Sequence, residues 1–291
     1  MGNFINLKNE SKEDKEAFYN RIVENERVEP IWKKIISKKS DIVTVEFRQT
    51  EVMNLILGGD DVVGVLAEEK SIFETKPTFE DKVGYYFDMG VTPELFLLRR
   101  LEEQKGLKVI LLNVPDFSKL PYNNMIIPAM VNAVLGNSVS INFVTASKSK
   151  YSYNPTTDLL LPSSTIDSLL SPNVHISLKK GVYDNPPIPW EGSVVRKSAP
   201  VNVSFNKEIE MFSKRFGYPI ADIRSLYNKI LDGSYISNDG LKVSAKDFFS
   251  DDNIYPSALG QACIANEIIK TLNNFYKTDI PFIAVKEYQT R

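Results

Sequence analysis

The stretch Phe249–Ile283, FSDDNIYPSALGQACIANEIIKTLNNFYKTDIPFI, decides how the chain is read. It opens with a loop that ends in Asp252-Asn253-Ile254-Tyr255-Pro256 and passes straight into a helix. Ser257 is placed to cap that helix, and Ala262, Ala265, Ile268, Ile269, Leu272 and Tyr276 recur at helical spacing on one face. An acid three residues before the last loop side chain, then proline, then a capped helix, aims both side chains from one rim of an α/β sheet. Such folds keep their chemistry at that rim.

Upstream, Lys108–Val114 (KVILLNV) is the clearest buried parallel strand, and Gly106 ends the helix predicted over Thr92–Lys105 before it. Asp41–Phe47 (DIVTVEF) reads as a second buried strand from its β-branched content. Phe205–Phe216 reads as a helix and Pro219–Leu226 as the next strand and turn. Residues 6–40 are polar and charged, with Phe18, Ile22, Val28, Ile31, Trp32, Ile35 and Ile36 marking amphipathic helices that pack on the core. Lys33, Lys34, Lys38 and Lys39 read as a solvated helix face. These segments divide the chain into a helical segment over 1–40 and an α/β domain over 41–291. Insertions are expected at about 64–90 and 123–205, and within the second, Tyr183–Trp190 (YDNPPIPW) reads as a stiff surface linker.

Composition bounds the function classes. The 291 residues are 43% hydrophobic and 25% charged, ordinary for a packed globular chain. A net charge of −2 gives no reason to expect nucleic acid as a partner. No apolar run approaches the roughly 18 residues that would span a membrane, and MGNFINLKNESKEDKE at the start does not read as a signal peptide. The one cysteine, Cys263, falls on the apolar helix and reads as a buried, inert thiol; the one histidine, His175, reads as structural. Nothing in the pattern calls for a cofactor or a metal.

Several of these segments together resemble the SGNH/GDSL hydrolases, nearest to the secreted branch found in Bacteroidetes bacteria. Asp252-x-x-Tyr255-Pro256 stands where that family has Asp-x-x-His-Pro. Pro115-Asp116 to Pro121-Tyr122 resembles its Pro-Asp-x-x-x-x-Pro-Tyr/Phe loop, Asp158-Leu159 to Pro162-Ser163-Ser164 its Asp-Leu-x-x-Leu-Pro-x-Ser segment, and Asp222 its strand-end Asp. The resemblance implies a three-layer α/β/α fold on a parallel sheet, with Asp252 at the triad acid and Tyr255 at the catalytic histidine. Arg48-Gln49-Thr50-Glu51 stands at its Gly-x-Asn-Asp turn, so Thr50 takes the place of the oxyanion-hole Asn. No Gly-Asp-Ser strand occurs anywhere in the sequence, and tyrosine, with a pKa near 10, is a poor base for serine at neutral pH.

The resemblance, read with these losses, implies a scaffold without its hydrolysis: a binding or structural subunit of an envelope assembly, extracytoplasmic or associated with the outer membrane. An acyl-ester hydrolase completed by a partner chain, and a glycan or small-molecule binding module using the old cleft, are the alternatives. Where the family's first strand is missing, DIVTVEF becomes an apolar edge. Residues 41–47 are therefore expected to pair with a partner protein or a second copy.

Overall fold

The computed structural model describes residues 40–47, 93–136, 139–145, 147–161, 164–171, 178, 181–189, 194–196 and 203–289. The helices expected before residue 40, the lysine cluster, the segment 64–90, Thr50 and His175 lie outside the described residues.

The chain is mixed helix and strand, and its organising element is a parallel sheet of the α/β class. Strand β2 (Lys108–Leu112) lies in the middle, with β1 (Ile42–Glu46) on one side and β8 (Ile220–Ala221) on the other. β1 pairs along its whole length, from Ile42 opposite Lys108 to Glu46 opposite Leu112; β8 reaches only Leu111 and Leu112. Where a strand has neighbours on both sides and both faces covered, its residues are apolar, and after Lys108 this holds along β2. Val109, Ile110, Leu111 and Leu112 are all buried accordingly.

The ladder leaves one residue of β2 stranded. Lys108 N donates to Asp41 O at 3.0 Å, toward β1, while Leu111 N donates to Pro219 O at 2.9 Å and Asn113 N to Ala221 O at 3.4 Å, toward β8. Strand backbones alternate sides, so Val109 also faces the β8 side, at a level that the short β8 does not reach. The Tyr276 hydroxyl fills the gap: it donates to Val109 O at 2.8 Å and accepts from Val109 N at 3.1 Å. A buried peptide group left bare there would cost about 1–3 kcal/mol.

Tyr276 is the last residue of a 19-residue helix, Ala258–Tyr276, which starts near the end of β2 and finishes beside its start. Ser257 caps it as expected, its Oγ accepting from Gly260 N at 3.1 Å. Gly260 is required for close approach: a Cβ there would stand 2.2 Å from Phe248 O and 2.9 Å from the Pro256 Cβ. Cys263 is fully buried on this helix, as its apolar setting predicts. A helix over Pro93–Glu102 buries Leu95, Leu98 and Leu101 at its helical period, and another over Val203–Phe216 sets Phe212 edge-on to Phe47 at 5.7 Å between ring centres.

A second core is drawn from residues 127–194. It gathers Ile127, Val131 and Leu135 of the helix Ile127–Leu135 against a sheet ordered β4 (Lys150–Ser152), β3 (Ser140–Val144), β6 (Val182–Pro189). Strand β5 (Asp158–Leu160) pairs antiparallel with β7 (Val194–Arg196) and joins the two cores. Its side chains alternate, so Leu159 enters the first core and Leu160 the second.

β6 corrects the expected surface linker. Tyr183 and Ile188 are buried, and the segment runs parallel to β3. Proline cannot donate to a ladder, and a break in register accommodates it: Ile141 faces Tyr183, but Phe143 already faces Ile188. Residues 184–187, with Pro186 and Pro187 among them, therefore bulge opposite the single residue Asn142. At a bulge no ladder N–H is demanded of them.

Candidate functional site

The loop carrying Asp252 is closed upon itself before any partner is considered. An isolated bridge pairs Phe249 with Pro256, and Ser250 N donates to Tyr255 O at 2.8 Å. Inside this turn the Asp252 Oδ1 accepts from Ile254 N at 2.8 Å and from Tyr255 N at 3.0 Å. The Ser250 hydroxyl lies 2.7 Å from the same oxygen and 2.9 Å from Tyr255 O, and its one proton serves either acceptor. Partial burial would raise the Asp252 carboxyl, but the bonds from Ile254 N, Ser250 Oγ and Tyr255 N outweigh it and hold the group below its ordinary value. Asn253 takes the left-handed conformation (φ 61), which asparagine tolerates well, and lets the chain reverse.

Tyr255 is the other half of the sequence-predicted pair, and the turn uses its backbone rather than its ring. Both its N–H and its carbonyl close the loop, while the residue is 56% exposed. No bond joins the Asp252 carboxylate to the phenol. An acid that orients a base must reach the base's ring; here it reaches the peptide group of the same residue.

The loop nevertheless stands beside the segment that leaves β2. Tyr122 N donates to Asn253 O at 3.3 Å, and Tyr227 packs edge-on to Phe117, Phe248 and Phe249 at 6.1, 5.0 and 5.8 Å. Burial drives the Tyr227 phenol strongly upward, with the Glu46 charge adding to it.

Two asparagines at this rim carry interactions that sequence reading missed. Asn113, at the end of β2, donates through Nδ2 to Asp222 Oδ1 at 2.8 Å and accepts from Arg224 N at 2.8 Å. Asp222 in turn caps the helix Ile223–Leu231 through Ser225 N at 3.0 Å. Asn206 holds both backbone polar groups of Val114, accepting from its N–H at 2.8 Å and donating to its carbonyl at 3.0 Å. For Asn113 the available signal was a carboxamide directly after the apolar run Val109–Leu112. Such a residue must satisfy backbone groups where the ladder stops.

What the arrangement can do chemically is bounded by its partners. Ser118, Ser237, Ser244 and Ser250 each bond a carboxylate two or three residues away, at Asp116, Asp239, Asp247 and Asp252. These are local turn contacts, with no base between hydroxyl and carboxylate to accept a proton. Burial pushes the Cys263 thiol up to about 11, so at neutral pH it stays protonated. Among the described residues no cluster of His, Cys, Asp and Glu could hold a metal ion, and no helix is long and apolar enough to cross a membrane. No family model, curated protein or solved structure matches this chain.

Proposed function

We propose that the protein is a non-hydrolytic binding or structural subunit on an SGNH-like α/β scaffold, with Asp252 and Tyr255 as vestiges of a catalytic pair. The observation that carries this reading is the use of the Asp252 carboxylate. Its bonding oxygen serves Ile254 N, Tyr255 N and Ser250 Oγ, all within its own turn. The position of that turn beside the segment leaving β2 supports the scaffold half of the proposal, since Tyr122 and Asn253 are in contact there. The three-layer arrangement and the cell-envelope setting follow from the family resemblance.

The binding surface in this reading is the outer edge of β1. The chain faces β2 at Asp41, Val43 and Val45 and turns outward at Ile42 and Thr44. Among the described residues no strand pairs on that outer side. Such an edge takes an extended segment of another chain through backbone hydrogen bonds.

The test is hydrolysis of short-chain p-nitrophenyl esters by the purified chain. No turnover above a heat-denatured control is expected. Turnover abolished by a serine-directed phosphonate would overturn the reading and favour an acyl-ester hydrolase.

A further inference from the structure

The long helix Ala258–Tyr276 holds the segment after it as it would hold a bound peptide. Asn273 accepts from Ile280 N at 2.9 Å and donates to Ile280 O at 2.8 Å. Asn266 does the same for Ile283, accepting its N–H at 2.7 Å and donating to its carbonyl at 2.9 Å. The two spacings match. Seven helical residues separate the asparagines, about 10.5 Å along the axis, and three residues of extended, polyproline-like chain between Ile280 and Ile283 cover about 9–10 Å. The segment therefore runs antiparallel to the helix in a register fixed by backbone recognition. Ile280, Ile283 and Val285 point into the first core while Phe282 stays exposed.

The join between helix and segment is the weak point. Lys277 ends the helix in the left-handed conformation, φ 57, without being glycine or asparagine. Its Nζ donates to Asn274 O at 2.7 Å and Thr278 Oγ1 donates to Asn273 Oδ1 at 2.8 Å, so the reversal is held by side chains against a backbone preference.

We propose that residues 278–289 are an exchangeable strap, and that two copies of this chain trade straps, each laying the segment on the other's Asn266–Asn273 track. An exchange of identical segments regains every contact it gives up, down to Lys286 N on Asp239 Oδ2 at 2.9 Å. What changes is the turn at Lys277, which is released from the left-handed conformation in both copies. The proposal is independent of the β1 edge and predicts a different dimer.

Light scattering behind size exclusion tests it on the full chain. Dimer is expected to appear as the concentration approaches about 1 mM, the effective concentration that a short tether gives the strap in its own molecule. Lys277→Gly makes the left-handed turn free of steric cost and is expected to cut the dimer fraction roughly fivefold or more at fixed concentration. Two full-length populations carrying donor and acceptor dyes at residue 289 and at residue 270 respectively report strap transfer by energy transfer after mixing. A chain that stays monomeric to that concentration overturns the proposal. So does a dimer insensitive to Lys277→Gly, which would place the contact elsewhere.

Discussion

The two sides of β2 end in different ways. On the β8 side, where the neighbouring strand is too short, the chain supplies a side chain: the Tyr276 hydroxyl takes both polar groups of Val109. Beyond β1, on the other side, Ile42 and Thr44 turn their backbone groups outward, and Ile42 keeps 38% of its surface exposed. The contrast teaches that this fold closes a ladder internally where closure is wanted. One side is a finished boundary. The other, among the described residues, has no strand paired beside it.

The largest effect is expected from unseating the helix that carries Tyr276. Gly260→Ala drives a Cβ into the Phe248 backbone carbonyl, where no flexible side chain can yield. A loss of about 3 kcal/mol is expected, at the upper end for overpacking, read from the denaturant midpoint. An unchanged midpoint would mean that the helix does not sit this close and that the finished side is held by something else.

Tyr276→Phe removes one oxygen and leaves the Val109 N–H and C=O without it. About 2 kcal/mol is expected from two partly buried groups. Urea unfolding at constant slope measures this, and a loss under about 0.5 kcal/mol, the low end for one hydrogen bond, would show that water replaces the hydroxyl and that the two sides are not so different.

Asp252→Ala is expected to cost about 1 kcal/mol, the size of a lost cap, because three donors lose their acceptor in a solvent-facing turn. Its pH dependence has a definite sign. The folded carboxyl sits below its ordinary value, so its contribution is complete above the unfolded value near 3.9 and disappears as pH falls from there through the folded value. Thermal melts of wild type and Asp252→Asn should therefore converge on acidification. Melts that stay apart by the same margin at every pH would remove the carboxylate's charge from the account of this turn.

The smallest effect is read in exchange rates rather than stability. Val43 and Val45 amides face β2 and are expected to be protected in the monomer, while Thr44 N–H faces outward and exchanges fast until a partner pairs with it. Equal protection of Thr44 and Val43 in the isolated chain would show the outer side already closed and would erase the comparison.

Much of this was legible in residue order. KVILLNV announces a central strand because no position between Lys108 and Asn113 is polar, and Ser257 announces a helix start because a hydroxyl there can meet Gly260 N. The proline-rich segment after Tyr183 reads as a linker because proline favours stiff, extended chain. It is a strand all the same, because the bulge that accommodates its prolines exists only once β3 lies alongside. The spacing of Asp252 from Tyr255 fits a triad acid and a turn acceptor equally well. Direction of the carboxylate separates them, and direction is a property of the folded turn.

The sequence by itself determined many of the local events: the central strand, the start of the long helix at Ser257, which of its faces is apolar, and that Cys263 is buried. These depend on period and side-chain chemistry, which short-range order carries. Only the tertiary structure decided that Tyr276 reaches Val109, 167 residues away, that Gly260 must lack a side chain, and that Asn266 and Asn273 hold Ile283 and Ile280. Each of those is a meeting of groups that no local pattern brings together. It is fixed by where packing of the apolar faces leaves backbone polar groups in need of a partner.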